Sequence, residues 1–360
     1  MATIDLRSLP LEELTEQLKT RGYPAFRAKQ IREWLDRGVT NFDDMTNLPK
    51  DLRQTLNELY TVPGVKILRK LVSSIDGTVK YLFELDDGET VESVLMQYKH
   101  GWSQCLSTQV GCKMGCTFCA TGMGGFIRNL SAAEMIGQIE AAQQDTGVRV
   151  SSIVLMGMGE PLDNYEQVVR FLRMLSEEGG VHIGMRHISL STCGVVPGIY
   201  RLMEERIPLT LSISLHAPND EIRSRSMPVN RRWPIDELLR ACRDYIDATG
   251  RRISFEYAMI DGVNDSDAHA AELAERLRGM LCHVNLIPVN AVDGKAQRRS
   301  SRDRIRSFMN VLEKKGINVT VRRTLGSDIN ASCGQLRRQQ DRQANSQNPG
   351  PATDRKEALP

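Results

Sequence analysis

A chain of 360 residues with 41% hydrophobic side chains can fill a large core, and it holds no apolar run of membrane-spanning length, so disordered, fibrous and membrane-embedded classes are excluded. Met1 to Arg7 carries no apolar signal region, which predicts a cytoplasmic protein whose eight cysteines serve metal and redox chemistry rather than a disulfide framework. A net charge of +2 excludes a uniformly basic nucleic-acid binder but leaves room for a local basic face.

Residues 1–60 predict a small helical domain. Leu11, Leu14 and Leu18 recur at helical spacing, as do Phe26, Ile31, Trp34 and Leu35, and Pro49 opens a third helix through Leu52 and Leu56. Arg27, Lys29, Arg32 and Arg37 suit phosphate contact, and equally a solvated face balanced by Glu33 and Asp36. Residues 61–100 alternate like β structure: Val65 to Leu68, Val79 to Leu85, a turn at Asp86-Asp87-Gly88, and Val91 to Met96, a hairpin extension.

From residue 101 to 336 strand-like and helix-like stretches alternate six times. The predicted strands are Gln104 to Val110, Ser152 to Met158, His187 to Cys193, Leu209 to Leu215, Ile253 to Ile260 and His283 to Val289. The helices between them include Ala132 to Gln144, Asn164 to Ser176, Gly198 to Glu205, Ile235 to Ala248, Asp267 to Arg278 and Arg302 to Lys315. Such a series is an α/β chain with a parallel sheet and outer helices, two units short of a closed barrel, hence an open (β/α)6 partial barrel. Residues 337–360 turn to Arg, Gln, Asn and Pro with few apolar residues and predict a disordered tail.

Within this region Cys112, Cys116 and Cys119 form a C-x3-C-x2-C triplet. Structural zinc wants four closed ligands, and no C-x2-C or H-x3-H partner lies nearby, whereas an iron-sulfur cube on three cysteines leaves one iron open. Three reduced, partly buried thiols in a loop are the plain alternative. In a parallel barrel functional residues collect at the C-terminal ends of strands. Those ends read Gly157-Met158-Gly159-Glu160-Pro161-Leu162, Ser191-Thr192-Cys193-Gly194, Ser212-Ile213-Ser214-Leu215-His216-Ala217 and Pro288-Val289-Asn290. Cys193, Cys242 and Cys282 read as packing residues. Arg298, Arg299, Arg302, Arg304 and Arg306, with Arg322 and Arg323, suit phosphate contact or a solvated helix face.

The triplet resembles that of the radical S-adenosylmethionine (SAM) superfamily, in which the open iron binds the amino and carboxylate groups of SAM and the reduced cluster cleaves it to a 5′-deoxyadenosyl radical. Further motifs narrow the resemblance: Cys105 ahead of Gln109-Val110-Gly111-Cys112, Gly157 to Leu162, Ser214-Leu215-His216-Ala217, and Asp328-Ile329-Asn330-Ala331-Ser332-Cys333-Gly334-Gln335-Leu336. With Phe26-Arg27-Ala28-Lys29-Gln30-Ile31 and Phe42 to Pro49, they are similar to the RlmN/Cfr family of RNA adenine methyltransferases, most like its dual-specificity members.

The resemblance implies a [4Fe-4S] cluster on Cys112, Cys116 and Cys119, and SAM bound by Gly159, Glu160, Ser191, Ser214, Leu215, His216 (mainly through its backbone) and Asn290. It implies that Cys333 carries a methyl group that becomes a methylene radical, that Cys105 helps to release the product through a transient disulfide, and that Glu92 accepts a proton. C2 of adenine in 23S ribosomal RNA, and in transfer RNA as well, is the expected target of a monomeric enzyme reduced by a flavodoxin or ferredoxin. C8 methylation and a non-catalytic, metal-holding RNA-binding protein are the alternatives. Gly101-Trp102-Ser103 and Gly122 to Phe126 depart from the family's commonest forms, which bears on the RNA target more than on the chemistry.

Overall fold

The computed structural model describes residues 4–7, 9–36, 38–62, 64–176, 181–289, 298–331, 336, 337 and 340. Asn290 and Cys333, and nearly all of the predicted tail, lie outside the described residues.

Helices α1 (Leu11–Lys19), α2 (Phe26–Asp36) and α3 (Lys50–Leu59) enclose their own apolar core, built on Leu14, Leu18, Ile31, Leu52, Leu56 and Tyr60. An ion pair between Arg7 and Glu140 joins this unit to the barrel. Arg32 does not face solvent: its guanidinium is buried and donates to the carbonyls of Arg7 and Leu9. On this helix Lys29 is exposed, Arg27 is half-buried beside Gln30 and the Asn47 carbonyl, and Arg37 lies outside the described residues.

The rest of the chain is built on one ten-stranded sheet whose spatial order follows the chain. Strands β1 (Val65–Val72), β2 (Val79–Leu85), β3 (Thr90–Tyr98) and β4 (Gly101–Cys105) are antiparallel. From β4 the strands run parallel through β5 (Val150–Leu155), β6 (Ile188–Thr192), β7 (Thr210–Ser214), β8 (Ile253–Met259), β9 (Cys282–Pro288) and β10 (Val319–Val321). The hairpin extension therefore continues the barrel sheet. The described helices that follow are α4 (Ala132–Thr146), α5 (Tyr165–Met174), α6 (Val196–Glu205), α7 (Asp220–Ser226), α8 (Ile235–Thr249), α9 (Asp267–Arg276) and α10 (Arg302–Lys314). Ser131 and Glu134 cap α4 reciprocally, as the sequence predicts, and Gly250 ends α8 in the left-handed region.

Two boundaries differ from the sequence reading. The first barrel strand stops at Cys105, because the amides of Thr108 and Gln109 turn to the Met158 carbonyl, and Gln109 to Gly111 then pairs with Phe126 to Asn129. A seventh parallel strand, β10, was too short to announce itself by periodicity.

The central parallel strands have one apolar face and one largely polar face. Ile188, Leu190, Leu211, Ile213, Phe255 and Val284 belong to the core beneath the helices. The opposite face presents a row of Ser189, Ser191, Ser212, Ser214, Glu256 and Asn285, linked by Ser189–Ser212 and Ser191–Ser214 contacts of 3.0 and 3.2 Å and by Asn285 Nδ2 donating to Glu256 at 2.7 Å. A parallel sheet buried on both faces would be apolar on both, so the polar row marks the face that meets a ligand.

Candidate active site

The cysteine triplet lies in the loop that follows Gln109 to Gly111. Gly111 adopts φ +78°, and a Cβ there would stand 2.0 Å from the Gly125 carbonyl oxygen, so only glycine lets the two sides of the loop close. Cys112 N–H donates to that oxygen, and Thr117 N–H donates to the Ser226 carbonyl, which seats the loop against α7. All three thiols are half-buried. Burial, and then the charge of Cys119, push Cys112 up to about 12, and burial, Cys119 and Cys112 do the same to Cys116. Among the described residues no three His, Cys, Asp or Glu side chains are gathered closely enough for one metal ion. Three half-buried cysteines on one loop are the donor set of an iron-sulfur cube, in which each would bind a different iron and the fourth iron would stay open.

The Gly157–Leu162 turn packs against the chain leading into the triplet. A Cβ on Gly157 would meet the Leu106 carbonyl oxygen at 2.5 Å, and one on Gly159, φ +105°, would meet Gln109 Cβ at 2.6 Å. Gln109, which the sequence reading did not single out, accepts from Glu160 N–H at 2.9 Å and donates to Asn129 and Asp163 at 2.8 Å. Asp163 in turn pairs with Lys113 at 2.8 Å. Glu160 is buried, with its carboxyl accepting from the amides of Leu162 at 3.1 Å and Cys193 at 2.7 Å. It therefore ties the end of β5 to the end of β6. Burial pushes its pKa up, against the hydrogen bonds that favour the anion.

Arg223, also passed over in the sequence, is fully buried and organises the next strand end. It donates to the carbonyls of Cys193 (2.6 Å), Ser214 (3.3 Å) and Leu215 (3.1 Å) and to Asn230 Oδ1 (2.8 Å). His216 has φ +57°, its N–H donates to the Glu256 carbonyl, and its own carbonyl accepts from Asn264 at 2.8 Å. The backbone of 214–216 is thus largely satisfied inside the protein, and Ser214 Oγ and the imidazole are the groups it presents. The ring meets Phe118 of the cysteine loop edge-on, with centroids 4.9 Å apart.

Ala258 N–H donates to His216 Nδ1 at 2.9 Å, which places the ring proton on Nε2. Burial, and secondarily Arg223, push the imidazole pKa from its ordinary 6.5 down to about 3. The unfolded chain therefore takes up a proton between those values that the folded chain refuses, so stability is lost as pH falls from 6.5 towards 3, by about 1.4 kcal/mol per unit. Urea denaturation of His216→Asn between pH 6.5 and 5 is expected to show a shallower fall in stability than the parent; parallel curves would refute the assignment.

The remaining predicted residues lie where β3 and β4 face the C-terminal segment. Glu92 of β3 is fully buried, 3.0 Å from Lys80 Nζ, and accepts from Arg337 N–H at 2.8 Å. Cys105 ends β4, buried beside Val94 and Met96 with Leu325 and Ala331 against them. Cys193, Cys242 and Cys282 are buried, the first next to Cys116 and Phe118.

Residues 106–274 match the radical SAM superfamily model, and residues 4–62 match the ribosomal RNA large subunit methyltransferase N-terminal domain. A parallel sheet with a polar face, a half-buried cysteine triplet at its mouth and a glycine turn beside it define a radical SAM enzyme. Probable dual-specificity RNA methyltransferases RlmN of Alkaliphilus oremlandii and Clostridium tetani are 56% and 52% identical, covering 94% and 93% of this chain and 98% and 96% of their own. The crystal structure of a radical SAM methyltransferase from Sphaerobacter thermophilus superposes with a TM-score of 0.86 at 48% identity, covering 92% of this chain and 98% of that one. The chain belongs to the RlmN family of radical SAM RNA methyltransferases.

Proposed function

We propose that the protein methylates C2 of adenine in 23S ribosomal RNA and in transfer RNA. The observation that carries this reading is its likeness, over nearly the full length of both chains, to dual-specificity RNA methyltransferases, including the N-terminal segment. Cys112, Cys116 and Cys119 would hold a [4Fe-4S] cluster, and Gly159, Glu160, Ser191, Ser214, Leu215, His216 and Asn290 would hold SAM. When bound, this pair supplies a carbon radical strong enough to take hydrogen from a methyl group, which an adenine carbon without a lone pair requires.

The chain's own residues do the rest. Cys333 carries the methyl group, Cys105 resolves the product by forming a transient disulfide with Cys333, and Glu92 accepts the proton lost from the ring. The packing of Ala331, two residues before Cys333 in sequence, beside Cys105 supports the pairing. Residues 1–60 and the exposed arginines Arg298, Arg299, Arg302, Arg304 and Arg306 grip RNA phosphates. No helix of the described residues is long and apolar enough to cross a membrane, and we assign the enzyme to the cytoplasm as a monomer reduced by a flavodoxin or ferredoxin.

Two measurements test the reading. Reconstituted under anaerobic conditions, the protein is expected to show an iron-sulfur chromophore that Cys112→Ala loses, whereas stoichiometric zinc would contradict it. Mass spectrometry of ribosomal and transfer RNA treated with the enzyme is expected to find 2-methyladenosine; 8-methyladenosine would reassign the carbon.

A further inference from the structure

We propose that Lys80 is a positioning residue of the methyl transfer, holding Glu92 against the chain that leads to Cys333 through one buried ammonium group. The inference rests on the proposed role of Glu92.

Lys80 and Glu92 have side chains 1% and 0% exposed and lie 3.0 Å apart. A buried ion pair is weak evidence for a stabilising device, because desolvation offsets much of the attraction and an apolar pair of similar volume often does as well. The strand context makes the point sharper. On β2, Tyr81 and Phe83 join the core beneath α4, while Lys80 points to the other face, with Glu92, Val94 and Cys105. That face receives the C-terminal segment. Lys80 Nζ also donates to the Asn330 carbonyl at 3.0 Å, where Asn330 takes the left-handed φ of 46°, and Glu92 accepts from Arg337 N–H at 2.8 Å. One ion pair thus holds the residues on both sides of 331–336, the stretch whose sequence includes Cys333.

Among the described residues the other ionisable groups on this face near Glu92 are Glu84 on β2, Cys105 on β4, and Arg337, whose guanidinium is engaged by Glu89 at 2.8 Å. Lys80 is the cation that reaches both the Glu92 carboxylate and the Asn330 carbonyl. Without Lys80 the carboxylate and the Asn330 carbonyl lose the donor they share, so the base and the chain leading to the methyl carrier are no longer held in register, and a small misplacement of a reacting group costs rate rather than binding.

The test is single-turnover methylation of a ribosomal RNA fragment by the reconstituted full chain, with RNA affinity measured separately, for the parent, Lys80→Met, Lys80→Arg and Glu92→Gln. The single-turnover rate is expected to fall by about tenfold or more in Lys80→Met while RNA affinity stays within about threefold of the parent, and most of the rate is expected to return in Lys80→Arg. A Lys80→Met protein that turns over at the parent's rate, or that loses RNA affinity in proportion to its rate, overturns the proposal. The double variant Lys80→Met/Glu92→Gln keeps the test open if Lys80→Met folds poorly: with the carboxylate gone, the lysine should matter less than threefold, and a full additive loss also overturns the proposal. If Glu92→Gln itself turns over normally, the role of Glu92 falls instead, and the two failures are told apart.

Discussion

Arg223→Met is expected to cost the protein its cluster site before it costs the fold. The guanidinium joins the ends of β6 and β7 to the loop after α7 by donating to three carbonyls and to Asn230, and methionine can replace none of these bonds. A buried acceptor left without a donor costs about 1–3 kcal/mol, so the four together cost on the order of 4 kcal/mol even where water restores some of them. Against a domain stability of about 5–15 kcal/mol that leaves a folded but weakened chain. The damage falls on the cysteine loop, since Thr117 bonds to Ser226 three residues beyond Arg223 and Cys116 packs with Cys193 and Met227. A lowered urea midpoint together with poor iron incorporation is the expected result, with Arg223→Lys intermediate because it keeps the charge but not the fork. A variant with the parent's midpoint and iron content would show that the arginine is dispensable.

The residues that the sequence left unread share a physical cause. Arg223 and Arg225 sit two apart in one short helix, yet the first is buried and the second has a side chain 76% exposed. Nothing in the side-chain pattern separates them, because the partners of Arg223 are mostly backbone carbonyls, which every residue possesses. Arg32 was open to a phosphate role for the same reason and spends its donors on Arg7 and Leu9. Lys80 was a polar residue in an apolar strand, a signal that was present, but its partners lie 12 and 250 residues away. The polar row was legible in outline as Ile-Ser-Leu-Ser and Leu-Ser-Ile-Ser, a period of two in strands expected to be buried on both faces. What could be read securely was what depends on local spacing: the helices, the cap at Ser131 and the triplet. The end of the first barrel strand was misplaced because the amides beyond Cys105 bond to the Met158 turn, a contact about fifty residues distant along the chain.

Cys105→Ala is expected to trap the enzyme on its RNA. On the proposed route the carbon carried by Cys333 becomes bonded to C2 of adenine while still attached to sulfur, so protein and RNA are one molecule at that stage. Release needs the Cys105 sulfur to attack the Cys333 sulfur: the S–S bond forms, the S–C bond breaks, and its electron pair stays with the carbon, which takes a proton and becomes the methyl group. Cys105 is buried and packs with Ala331, two residues before Cys333 in sequence. Alanine fills the space and removes the nucleophile, so the adduct should survive a denaturing gel and be lost on nuclease digestion. Cys333→Ala should bind cluster and SAM yet form neither adduct nor product, since the methyl carrier is absent. The double variant Cys105→Ala/Cys333→Ala should show no adduct, because the bond to RNA runs through the missing sulfur. Normal turnover by either single variant would falsify the assignment, and Cys105 would return to the packing role that its burial alone would give it.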